Sequence, residues 1–366
     1  MKTFPAALES LGGSVDWMDR TGRYFLVNYG KRIHVWDKQT DTIYAGSIDV
    51  TTLGIDANDL NDGWVGITPS GDYVVLSTRP NHYSFAINHV ARSLSSSGVL
   101  FWTLCGDHGD LISATNGKDY FITSECHDIS AVMRVDITLV QTGDTQEGIN
   151  KQIADNVMLL DTGWNGGADH YSCATKGPNQ DWCYISMDWI DDTFTDMGPW
   201  EPYKQEIIMV DVVAPYTVQR LAHHRSRELN CLPCDSGGYF FQPKPSASWD
   251  GLRVAWASNQ GYDSRPAEYS DLYVLETPAM DRPLISAPSQ VAVSGTGDAN
   301  APSVSKRVMH GFSEQFQKPY SPSRLGLKRS PQTAFGLPYE PSAVIRRRPI
   351  LEVMKQFLSF IKRGEQ

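Results

Sequence analysis

The stretch Ser246–Gly261, SASWDGLRVAWASNQG, decides the fold. Its polar turn Trp249-Asp250-Gly251 is followed by Arg253, Val254, Ala255, Trp256, Ala257 and Ser258, and a second turn begins at Asn259. Alternation between two turn signals predicts a short strand with one buried face. The pattern recurs. A turn glycine precedes an aromatic or β-branched strand in TGRYFLVNYG (Gly22), SGDYVVLSTR (Gly71) and NGKDYFITSE (Gly117), and a copy without the glycine, NQDWCYISMD, lies near Gln180. A second strand follows each copy: KRIHVWDKQT, GVLFWTLCGD, SAVMRVDITL, QEIIMVDVVA and SDLYVLETPA.

The first two glycine intervals are 49 and 46 residues, and the next two are longer. Repetition at ~40–50 residues, with several short strands per unit, predicts an all-β fold of the β-propeller type. Each unit leaves an apolar face that its neighbour covers. Five blades are recognisable, and a divergent further blade has room between Gln141 and Asp161. A β-sandwich would need the paired strand patterns to coincide five times by accident.

SASWDGLRVAWASNQG, with SDLYVLE after it, resembles the TolB-like propeller repeat, in which a Ser-x-Asp-Gly turn precedes a strand ending in Ser-Asn. The longer run from Arg220 to Asn259 is similar to the matching blade of oligogalacturonate-lyase-like propellers. The resemblance covers roughly residues 13–277 and implies the fold. It implies much less about activity, because propellers host binding, scaffolding and lyase chemistry alike.

Composition adds bounds. No run approaches the ~20 apolar residues of a membrane helix. The opening MKTFPAALESLGG lacks a continuous apolar core, so no signal peptide is expected, and the placement expected is cytoplasmic or within a virion. Six cysteines without an export signal predict reduced thiols. CLPC at Cys231–Cys234 has no partner pair at zinc-finger spacing. The net charge of −10 is divided: from Arg282 to the end there are thirteen basic and five acidic residues, +8, which leaves −18 on residues 1–281. An acidic body carries a basic tail.

In a propeller the innermost strand of each blade starts near one mouth of the central channel. Counting nine residues back from each turn glycine gives Asp62, His108 and Gln242, and GGADHYSCA puts Asp169 and His170 in the same place. The first blade offers Asp16 or Trp17. Together with His223 and His224, these residues are expected to face one mouth and to form a binding site. The lyase resemblance implies a metal site built from a histidine, matched here by His223 or His224, then a Gln, matched by Gln242, and two further histidines. Pro245 and Ala247 stand at the last two positions and cannot ligate through a side chain. No metal and no cofactor are therefore expected. If lyase chemistry operates, His170 or Tyr171 is the candidate base, with His224 and Arg225 beside the substrate carboxylate. A body at −18 repels polyanionic glycans, which weighs against that reading. GxSxG, Walker, HExxH and GxGxxG signatures are absent.

Residues 282–343 are rich in Ser, Pro, Gly and Lys without periodicity, which predicts an extended arm beyond a propeller spanning 1–281. Residues 344–366 read as an amphipathic helix. Arg346, Arg347 and Arg348 precede Pro349, and Ile350, Met354, Phe357 and Ile361 follow at helical spacing. The expected function is non-catalytic binding and assembly, with a protein partner held through residues 283–366 and a phage virion as the specific setting. A glycan at the channel mouth is a further candidate ligand, whereas nucleic acid and membrane are disfavoured. The alternative is a carbohydrate-active propeller performing β-elimination on uronates.

Overall fold

The computed structural model describes residues 3–8, 16–53, 64–78, 81–104, 108–125, 131–141, 145–161, 168–187, 190–191, 202–228, 242–259 and 271–280. Within them the chain folds as five successive antiparallel sheets, the blades of a β-propeller.

The first blade holds β1 (Tyr24–Tyr29), β2 (Arg32–Asp37), β3 (Thr42–Ile43) and β4 (Ile48–Asp49). A bridge from Met18 to Phe25 adds an inner edge to it. The second holds β5 (Trp64–Ile67), β6 (Tyr73–Ser77), β7 (His82–Asn88), β8 (Ser93–Leu94) and β9 (Val99–Trp102). The third runs β10 (Gly109–Ser113), β11 (Asp119–Glu125), β12 (Ala131–Asp136) and β13 (Val157–Asp161) in spatial order. The fourth runs β14 (Ala168–Cys173), β15 (Trp182–Met187), β17 (Glu206–Asp211) and β18 (Val218–His223). A short parallel pair, β16 (Ile190–Asp191) with β19 (Arg227–Glu228), stands beside it. The fifth holds β20 (Ser246–Ala247), β21 (Arg253–Ser258) and β22 (Asp271–Glu276). The opening stretch is thus the β20–β21 hairpin.

Residues 141–161 hold no further blade among their described positions. They contain helix α1 (Gln146–Asp155), capped by Thr145, and then β13, the outer strand of the third blade. The helix is pinned from inside: Gln152 is fully buried, its amide donates to Thr103 Oγ1 at 2.7 Å, and its carbonyl accepts from Thr103 N at 2.9 Å.

The repeated turns explain the glycines. Gly22, Gly71, Gly117 and Gly251 all have positive φ, between +65° and +84°, a region that glycine enters without steric cost. At Gly251 a side chain would also collide, because a Cβ there lies 2.6 Å from Asn179 Cβ and 2.9 Å from Ala174 Cβ. The same turns latch each blade to the next. Arg20 N donates to Pro69 O (2.9 Å). Ser70 N donates to Ser113 Oγ (2.6 Å). Thr115 N and Oγ1 donate to the two oxygens of Asp181 (2.7 and 2.5 Å). Thr175 N and Lys176 N both donate to Trp249 O (2.9 Å). Serine, threonine and aspartate recur at these turns because each can satisfy a neighbour's backbone group.

Apolar cores fill the spaces between neighbouring blades. Leu26, Val35, Ile67 and Phe85 join the first two; Trp64, Trp102, Leu111 and Phe121 the second and third; Ile122, Val132, Ile185 and Val210 the third and fourth; Trp182, Ile207, Val254 and Trp256 the fourth and fifth. β15 and β17, covered on both sides, are buried at every position.

The expectation of reduced thiols is overturned for two cysteines. Cys173 and Cys183 face each other across β14 and β15 and form a disulfide. Directly opposed residues on antiparallel strands bring their Cβ atoms close, which the linear spacing of cysteines does not reveal. Cys105, Cys126, Cys231 and Cys234 lie outside the described residues, as do the arm at 282–343 and the helix expected at 344–366.

Candidate functional site

The inner strands bring three of the expected residues together. His170, on β14, is half-buried, and its Nε2–H donates to Gln242 Oε1 at 2.9 Å, reaching to the segment that leads into β20. His108, immediately before β10, is exposed, and its ring lies 4.5 Å from the His170 ring at 37°. Residues from three blades thus converge at one end of the inner strands. Burial pushes the His170 imidazole down to about 4; His108 and Lys244 add to the effect, while the Gln242 bond opposes it. His170 is therefore neutral near pH 7 and its Nε2 proton is committed to Gln242. Lys244 is a contributor that counting back from the glycines missed. It sits two residues after Gln242 across a tight turn in which Lys244 N donates to Gln242 O at 2.9 Å.

A second group lies deeper. Asp110, on β10, accepts from Cys173 N at 2.7 Å and from Leu111 N at 2.8 Å. The residue as a whole keeps some exposure, but its carboxyl is held between these backbone amides. Burial, reinforced by repulsion from Asp16, raises Asp110 to about 8, so it is largely protonated near neutrality. Burial raises Asp16 as well. Asp16 occupies the inner position expected for the first blade, and its carbonyl accepts from Ile67 N at 2.9 Å. Asp110 was not anticipated, since it is one of many acidic residues and only strand pairing shows its enclosure.

The remaining expected residues are dispersed. His224 is fully buried, donates from Nε2 to Met187 O (3.1 Å) and accepts at Nδ1 from Ser226 N (3.0 Å). Both ring nitrogens are committed to backbone, so His224 is a structural group and does not line the channel mouth. His223 ends β18, the outer strand of the fourth blade, with Nε2 3.4 Å from Glu206 Oε1. Glu206 is also gripped by Arg220, whose Nε donates at 2.6 Å. His223 therefore sits at the outer edge, away from Gln242. The cause is the strand count: His223 ends the outer strand of one blade and His224 follows it, whereas Gln242 precedes the inner strand of the next. Arg225 is exposed, with φ +53°. Tyr171 follows His170 on β14 and packs against the core of the third and fourth blades. Asp62 lies outside the described residues, and Asp169 is described only as a backbone position in β14.

Among the described residues no group of three or more His, Cys, Asp or Glu side chains is arranged to hold a metal ion. The His108–His170–Gln242 group instead offers an aromatic surface, an amide and a nearby ammonium, which suits a polar ligand held by hydrogen bonds and ring contact.

The chain is a β-propeller protein. It is similar to the solved structure of a protein assigned as TolB from Agrobacterium tumefaciens, with 14% identity over 76% of this chain and 80% of that one, TM-score 0.39. It is also similar to a functionally unknown protein from Desulfotomaculum acetoxidans (9% identity, 71% and 74% covered, TM-score 0.38) and to the calcium-binding protein regucalcin from A. tumefaciens (14%, 72% and 72%, TM-score 0.31). No family model matches the chain, and no curated protein sequence does. No helix among the described residues is long and apolar enough to cross a membrane.

Proposed function

We propose that this propeller is a non-catalytic binding and assembly protein, attached to a larger complex by residues 283–366, and that the complex is a phage virion. The observation that carries the non-catalytic reading is the fate of His224. Of the two histidines that could match the lyase pattern, His224 is sealed in the interior with both nitrogens on backbone groups, and His223 ends the outer strand of the fourth blade beside Glu206. What remains at the inner strands is a neutral His170 bonded to Gln242, with His108 beside it. That arrangement suits recognition of a polar group, with a glycan as the candidate ligand, better than proton abstraction. The charge division supports attachment through the tail, since a +8 segment is drawn to acidic surfaces such as the −18 body. The virion setting rests on this architecture alone.

The experiment compares the full chain with a chain ending at residue 282 in particles purified from producing cells. Loss of the truncated, still folded propeller from particles is expected. Its normal incorporation would overturn the tail's role. The alternative lyase reading draws on His170, an uncharged imidazole with Tyr171 next to it. Purified protein that raised the absorbance of unsaturated uronates from a pectic oligosaccharide would establish that alternative.

A further inference from the structure

Blade two carries one row of polar side chains in its interior. Register places Trp64 (β5) opposite Ser77 (β6), Ser77 opposite His82 (β7) and His82 opposite Trp102 (β9). Directly opposed residues project from one face of a sheet, and this face looks onto the core shared with the third blade. Ser77, His82 and Trp102 are fully buried and Trp64 nearly so. The row runs along the end of the blade where the inner strand begins.

The rings lean together over this row. Neighbouring strands lie ~4.8 Å apart, so β5 and β7 are separated by roughly 10 Å. The Trp64 and His82 rings are only 6.0 Å apart, and they therefore approach each other across Ser77. Trp102 stands on the far side of His82. Phe121 lies 5.3 Å from Trp64 and 5.1 Å from His82, and Phe101 lies 6.2 Å from His82. Phe121 also stands between the row and His108, because it packs on Gly109, where a Cβ would meet its ring at 2.3 Å.

Three donors stand in this aromatic enclosure. The Nε1–H groups of Trp64 and Trp102 and the Ser77 hydroxyl are buried, and none meets a hydrogen-bond partner among the described residues. Buried donors are satisfied in nearly all native proteins, so such a row calls for an acceptor. Indole can only donate. A water molecule accepting from both indoles would keep two hydrogens of its own to place, with the Ser77 oxygen between aromatic walls to receive them. A small anion accepts from all three groups and has nothing left to donate, and charge-assisted bonds of this kind are the stronger ones. We propose that the row is a buried site for one monovalent anion of halide size, held by Trp64 Nε1, Trp102 Nε1 and Ser77 Oγ. It shares no residue with the His170–Gln242 group. The −18 of the body opposes an anion, so occupancy depends on the three donors and not on the surrounding field.

The test uses the full chain. Crystals soaked in sodium bromide should show an anomalous-scattering peak in contact with Trp64 Nε1 and Trp102 Nε1. In solution the comparison is made at ~0.15 M of each sodium salt, where the charge of the body is equally screened. Chloride and bromide should raise the unfolding midpoint above its value in gluconate, whose anion is too large for the enclosure, and the rise should grow with halide concentration. Trp64→Phe and Trp102→Phe keep a ring and remove one N–H, and each should weaken the apparent halide affinity roughly tenfold or more. Should either fail to fold, Ser77→Ala supplies the same comparison. A row without bromide, with water or a backbone carbonyl on the indoles, would overturn the proposal. So would a halide dependence that parent and variants share.

Discussion

His170 Nε2 and Gln242 Oε1 lie 2.9 Å apart, although 72 residues separate them in the chain. The bond crosses from the inner strand of the fourth blade to the segment leading into the fifth, and it holds an imidazole that burial keeps neutral.

That neutrality has a pH signature. The folded His170 titrates at about 4, well below its ordinary value of 6.5. The unfolded chain therefore takes up the proton first, and stability falls as pH drops from about 6.5 to about 4. The bound is roughly 3 kcal/mol from the size of the shift, reduced by the partial exposure of the ring. His170→Gln should lessen this dependence, read as the urea midpoint against pH. An unchanged slope between pH 6.5 and 4 would show that the imidazole is not buried as described.

Asp110 works in the opposite sense. Its folded value of about 8 lies above the ordinary 3.8, so the folded state retains a proton that the unfolded chain loses. Stability contributed by the neutral carboxyl is present at low pH and is lost as pH rises from about 4 through about 8. Asp110→Asn should flatten the alkaline side of the profile. It should also lower stability at acid pH by about 1–3 kcal/mol, because one of the amides of Leu111 and Cys173 loses its acceptor. A variant that keeps the alkaline decline would transfer that decline to another group.

The turn glycines separate two costs. Gly117 and Gly251 both have positive φ, but a Cβ at Gly117 meets nothing within 4 Å, whereas at Gly251 it meets Asn179 and Ala174. Gly117→Ala should cost about 1 kcal/mol, the backbone term alone. Gly251→Ala should cost about 1–3 kcal/mol more through overpacking between the fourth and fifth blades. Thermal unfolding of the two variants side by side measures the difference, and equal losses would remove the packing argument.

The Cys173–Cys183 bond closes a short loop within the fourth blade. Chain entropy assigns a loop of that size roughly 2.5–3 kcal/mol. Alkylation under denaturing conditions followed by mass analysis should find both thiols protected. Replacement of both cysteines by alanine should lower stability by about that amount, or more, because both positions are buried. Free thiols at both sites would contradict the pairing.

The propeller was legible in the sequence because its repeat is local. A glycine at positive φ and an alternating strand are read over ten residues, and four such glycines, Gly22, Gly71, Gly117 and Gly251, all adopt the conformation their motif predicts. His108 and Gln242, picked by the offset before the turn glycine, and His170, picked from the blade without one, lie together in the structure because the inner strands start at similar distances from their turns. The same reasoning failed for His223 and His224, where proximity to Gln242 was inferred along the chain, although His223 ends the outer strand of the fourth blade, His224 is buried against backbone groups, and Gln242 precedes the inner strand of the fifth.

Periodicity, turn chemistry and charge division were thus determined by the sequence alone, being properties of neighbouring residues. Tertiary structure alone decided that His224 is sealed, that burial raises the pKa of Asp110, that Cys173 meets Cys183 and that Leu272 and Val274 face solvent. Each depends on which strand lies alongside and on how much water is excluded there, and both are fixed by contacts between residues far apart in the chain.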